Sequence, residues 1–101
     1  MNRVPSDREL TLIAMELHDV VRLGAILRIS TARTEQCRLN HPYDVSAQVS
    51  AVLQMWKREH GSSGGASVKV LVDALERARL LSDSVKHVIV TDILQGRDYT
   101  V

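Results

Sequence analysis

The residue best equipped for covalent chemistry in this chain is its one cysteine, Cys37. A thiolate nucleophile needs a base or cation to generate it, a third group to orient that base, and donors for the developing oxyanion. The segment around Cys37 offers neither an oxyanion site nor an orienting group. His18, His41, His60 and His87 are scattered and contain no H-x-x-x-H pair, so metal binding is not expected and the histidines read as surface or capping residues. One cysteine also rules out an intrachain disulfide and a zinc site of several thiolates, and it suits a reducing compartment. The run Gly61-Ser62-Ser63-Gly64-Gly65 lacks the Lys and Ser/Thr ending of a phosphate loop and follows a helical pattern, so it reads as a connection. No catalytic, cofactor-binding or metal-ligating residue is expected, and the chain is read as not an enzyme.

Charge is the remaining chemical resource. Residues 7 to 19 carry Asp7, Glu9, Glu16 and Asp19 against Arg8, whereas residues 20 to 43 carry Arg22, Arg28, Arg33 and Arg38 against Glu35. Further on, Lys57 and Arg58 add two more cations. Acid followed by base along the chain would let one copy's acidic face meet the basic face of another, which fixes register and speeds encounter. Isolated surface pairs contribute only about 0–1 kcal/mol, so a solvated face is the plainer reading of any single arginine.

These charges need elements to hold them. Ser6-Asp7-Arg8-Glu9 has the spacing of a capping box, and Leu10, Ile13, Ala14 and Leu17 then repeat as one helical stripe ending near His18. Asp19 caps a second helix through Val20, Leu23, Ile26 and Leu27. Ser30 and Thr31 offer caps to a third, whose inward candidates are only Ala32, Cys37 and Leu39 before the Asn40-His41-Pro42 turn. Asp44 caps a longer helix with Val45, Val49, Val52, Leu53 and Trp56 on one face, cations in its last turn, and Gly61 as its stop. Trp56 completes that stripe and is therefore a core anchor.

A fifth helix follows Ser67 through Val68, Leu71, Val72, Leu75 and Ala78, and a sixth follows Ser82-Asp83 through Val85, Val88, Ile89 and Ile93 to Gly96. Tyr99-Thr100-Val101 reads as a frayed tail. Alternation of the kind a half-buried strand requires is missing, so the expectation is all-α.

The chain has 101 residues, 45% of them hydrophobic and 25% charged, with 3% aromatic residues and no Phe. That length suits one module over 1–101 with a core of about 6–95, built from aliphatic side chains. A formal net charge of +1 gives no general attraction to nucleic acid or an anionic membrane. There is no signal-peptide pattern and no apolar run long enough to span a bilayer.

Leu17-His18-Asp19-Val20-Val21-Arg22-Leu23-Gly24-Ala25-Ile26-Leu27-Arg28-Ile29-Ser30 resembles, without a gap, the death-domain pattern L-G-D-W-x-x-L-A-x-x-L-G-L-S. Val52-Leu53 to Trp56 and Gly61 is similar to the family's L-L-x-x-W-x-x-x-x-G, and Ala66-Ser67-Val68 to Ala74-Leu75 is similar to A-T-V-x-x-L-x-x-A-L. Departures are Val20 in place of the common Trp, His18 and Arg28 in place of Gly, and Thr34 and Cys37 in place of apolar residues. The resemblance implies a six-helix antiparallel bundle with Greek-key topology. It implies a cytoplasmic, non-catalytic adaptor that binds other death-fold domains and oligomerises in apoptotic, inflammatory or receptor signalling. Assembly would use asymmetric surfaces: helices one and four against two and three, helix four and its following loop against the region between five and six, and helix three against neighbouring loops.

The residues expected to bind partners are Glu9, Glu16, Asp19, Arg22, Arg28, Arg33, Arg38, Lys57 and Arg58. The competing function is a small helical nucleic-acid-binding domain using Arg22, Arg28, Arg33 and Arg38 on phosphates, which near-neutral charge disfavours. If the basic face binds protein, Arg28→Glu with Arg33→Glu abolishes pull-down of a death-domain partner while circular dichroism stays helical. Retained binding counts against the face.

Overall fold

Six short polar side chains decide where the helices begin. The computed structural model describes residues 4–61 and 65–90. Among them lie α1 (Asp7–Ala14), α2 (Val20–Ile26), α3 (Thr31–Asn40), α4 (Val45–His60), α5 (Val68–Arg77) and α6 (Asp83–Val88), with no strand. Ser6 closes a capping box: its hydroxyl accepts from the Glu9 N–H at 3.2 Å and its own N–H donates to Glu9 Oε1 at 2.8 Å. Asp19, Ser30, Asp44, Ser67 and Ser82 accept in the same way from the N–H groups of Arg22, Arg33, Ala47, Val70 and Val85. Each such bond satisfies a donor the helix leaves open and is worth about 1 kcal/mol.

Two helix ends use left-handed residues. After α2, Ile29 N–H reaches the Gly24 carbonyl at 2.9 Å, and after α5, Leu80 N–H reaches the Leu75 carbonyl at 2.8 Å. Both closures place the preceding residue at positive φ, Arg28 at 63° and Arg79 at 59°. Glycine is the usual occupant of that position, and a residue with a Cβ costs about 1–2 kcal/mol there. Gly61, by contrast, caps α4 with φ −61°, which any residue tolerates.

The core is one cluster to which every helix contributes. Leu10, Ile13, Ala14 and Leu17 come from α1 and its exit; Val20, Leu23 and Leu27 come from α2. Val49, Val52, Leu53 and Trp56 of α4 are 0–2% exposed, and α4 packs against α1, α2 and α3 alike. Val68, Leu71 and Leu75 of α5 and Val85 of α6 complete the cluster, with α5 against α2 and α6 against α1. The described residues thus form a six-helix bundle whose packing partners are largely remote in sequence.

Some expectations are corrected by this packing. Helix α1 ends at Ala14 rather than near His18, although Leu17 stays buried in the connection. Ala32 and Leu39 do not face inward; Leu39 is 69% exposed, and Thr34 with Cys37 takes the inner face of α3. Val45 is 42% exposed, since the first residue of α4 stands at an open recess shared with His18, Val21 and Arg38 rather than in the core. Ile93, Gly96 and Tyr99-Thr100-Val101 lie outside the described residues.

Helices α2 and α3 meet at Gly24 and Thr34. A Cβ on Gly24 would fall 2.3 Å from Thr34 Oγ1 and 3.0 Å from Thr34 Cγ2. The absent side chain of Gly24 therefore makes room for Thr34, whose buried hydroxyl has no hydrogen-bond partner. Gly24→Ala should destabilise by about 1–3 kcal/mol through overpacking. In a Thr34→Ala background the clash is gone and the better helix propensity of alanine, about 1 kcal/mol, removes or reverses the loss in urea unfolding.

Helices α1 and α4 are also tied at the surface, where Lys57 Nζ donates to Asp7 Oδ1 at 2.9 Å. The Lys57 ammonium holds the Asp7 carboxyl below its ordinary value, first by that hydrogen bond and then by its charge. A depressed carboxyl contributes stability above its unfolded pKa and loses it as pH falls through the folded value. Acidification from about pH 6 to about pH 2.5 should therefore cost the wild type more stability than Lys57→Met, with the difference shrinking in high salt.

Candidate protein-interaction surfaces

The nine charged residues expected to bind partners do not form one free patch. Glu9 is committed to the α1 capping box and Asp19 to the α2 cap. Arg22 sits 3.5 Å from Asp19 and donates to the Ala78 carbonyl at 3.3 Å, tying α2 to the end of α5. Arg33 of α3 pairs with Glu59 of α4, and Arg38 pairs with Glu35 one turn away at 2.6 Å. Lys57 is paired with Asp7. Glu16 is half-buried in the connection after α1, while Arg28 and Arg58 are exposed and in no ion pair among the described residues.

Those pairs are open to water: the side chains of Arg22, Arg33 and Arg38 are 44–56% exposed. An exposed pair holds its partners weakly, and a guanidinium has five donors, so each arginine keeps N–H groups for an incoming carboxylate. Acid and base remain segregated by element, but part of each field is cancelled within the bundle.

Sequence reasoning missed an apolar surface. Val21 is 53% exposed, Leu39 69%, Tyr43 99% and Val45 42%. Val21 and Val45 line a recess of about 260 Å³ between the α1–α2 connection, the end of α3 and the start of α4, together with His18, Asp19 and Arg38. Leu39 follows Arg38 directly in the chain, and Tyr43 stands two residues before Val45. Apolar side chains rimmed by one acid and one base are the make-up of a protein-binding surface. The available signal is Val21, an apolar residue off the α2 stripe, whereas periodicity places Leu39 and Val45 on inward faces.

Cys37 is buried at 4% exposure, and that burial pushes its thiol up despite the opposing pull of Arg33 and Arg58. A protonated, enclosed thiol is a structural group rather than a nucleophile. Among the described residues no three His, Cys, Asp or Glu side chains are grouped to hold a metal, and no helix is long and apolar enough to cross a membrane.

Comparison with known proteins agrees with this architecture. The Death domain family model matches residues 8–87, from the first turn of α1 to the last turn of α6. No curated protein and no solved structure matches the chain. With six helices among the described residues, buried Trp56 closing α4's inner face and a match over most of its length, the chain belongs to the Death domain family, a family of protein–protein interaction modules.

Proposed function

We propose that this chain is a non-catalytic adaptor module that binds other death-fold domains and assembles with them in apoptotic, inflammatory or receptor signalling in the cytoplasm. The observation that carries the reading is the recess in which exposed Val21 of α2 and Val45 of α4 stand with Asp19 and Arg38, with exposed Leu39 at the end of α3 next to Arg38 in the chain. Apolar surface left facing water is unfavourable, and burying it under a partner is favourable.

Charge directs the docking. Glu9, Glu16 and Asp19 supply the acidic side, and Arg22, Arg28, Arg33, Arg38, Lys57 and Arg58 supply the basic side, each exchanging an internal pair for an external one where it has such a pair. Because the two sides are different surfaces, the contact is heterologous and propagates, giving open oligomers rather than closed dimers. Nucleic-acid binding through the same arginines gains nothing from the pairing of Arg22, Arg33 and Arg38 with carboxylates.

Size-exclusion chromatography with light scattering, on the chain alone and mixed with a panel of purified death domains, tests the reading. Self-association or a stable complex is expected, weakened at least about fivefold by Val21→Ser with Leu39→Ser. A monomer that ignores every death domain, yet binds duplex DNA with an affinity falling steeply in salt, would falsify it.

A further inference from the structure

A second cavity lies where the end of α2, the end of α4 and the outer part of α5 converge, with a volume of about 320 Å³. Buried Leu27, Trp56 and Ala74 close one side, and exposed Val70 extends the apolar wall. Exposed Arg28, Asp73 and Arg77 stand on the open side with half-buried His60. Neither Arg28 nor Arg77 is held in an ion pair among the described residues, in contrast to Arg22, Arg33 and Arg38.

Arg28 carries a further sign of use. It occupies the left-handed position after α2 at φ 63°, where glycine would be more comfortable. A residue kept against its backbone preference, with its guanidinium free at a cavity mouth, suggests a task for that side chain. Arg79, at φ 59° after α5, has the same backbone but does not line the cavity, so it serves as an internal control.

We propose that this cavity binds a carboxylate carried on a short apolar body, with Arg28 and Arg77 gripping the carboxylate and Leu27, Trp56 and Ala74 enclosing the apolar part. Two arginines against Asp73 leave one positive charge, which matches a monoanion better than a phosphate dianion. The planar guanidinium fork fits a carboxylate in two-point contact. At about 30 Å³ for each water-sized group, the cavity has room for about ten heavy atoms. The carboxylate belongs either to a free small acid or to an acidic side chain displayed between apolar residues on a protein.

Trp56 is the only tryptophan, so its single indole N–H signal reports on the cavity wall. The full chain is titrated by NMR with octanoate, with the capped peptide acetyl-Leu-Glu-Leu-amide, and with octanol as the uncharged control. A saturable shift with at least one acid and a much weaker response to octanol are expected, and the tighter acid identifies the source. Arg28→Gly should melt higher than the wild type yet need about tenfold more ligand, as should be true of the ligand requirement of Arg77→Gln. Arg79→Gly should melt higher with its titration unchanged. No saturable shift with either acid, an equal response to octanol, or an unaltered titration in Arg28→Gly overturns the proposal.

Discussion

The bundle depends on one buried strip of α4. Val49, Val52, Leu53 and Trp56 are nearly inaccessible to water and are the surface on which α1, α2 and α3 converge. With no phenylalanine in the chain, the core gains its free energy from many aliphatic contacts, about 1.5–3 kcal/mol for each large side chain removed from water. Trp56 is the one large ring among them. Val20, standing where a tryptophan is common in related sequences, is 5% exposed, so its smaller volume is enclosed by the surrounding aliphatic packing. A single central helix contacting three others explains why a short chain with remote packing partners holds a defined shape.

Local chemistry was readable from sequence because it is local. Ser6, Asp19, Ser30, Asp44, Ser67 and Ser82 all cap helices as their spacing indicated, since a cap involves residues only three apart. The apolar stripes of α1, α4 and α5 were equally legible through Leu10, Ile13, Leu53, Trp56, Leu71 and Leu75. Helix α3 was not, because its polar sequence gives periodicity little to work with. Its inner face is fixed by the fit of Thr34 against Gly24, a contact between two helices. Exposure of Val45 depends likewise on residues of other elements, with which it borders an open recess, and no stripe within α4 encodes that.

Charge pairing was the least legible feature. Lys57 with Asp7 and Arg33 with Glu59 join residues far apart in sequence, so the separation of acid from base along the chain overstated the separation in space. Part of each charged face is neutralised within the bundle, and the proposed partner-binding role therefore rests on the recess beside Asp19 and Arg38, with Arg28 and Arg77 in no ion pair among the described residues. Such a division is physically sensible. In the proposed docking, weak exposed pairs would be exchanged at small cost while apolar contacts supply the net driving force.

In the proposed docking, this death domain keeps its α4-centred core intact and meets its partner through the surface formed by the α1–α2 connection, the end of α3 and the start of α4. Hydrogen exchange of the chain, alone and in complex with a purified death-domain partner, tests it most directly. New protection is expected at residues 18–22 and 38–46, with 49–56 equally slow in both states. Protection gained only elsewhere, or a change in the exchange of 49–56, would contradict it.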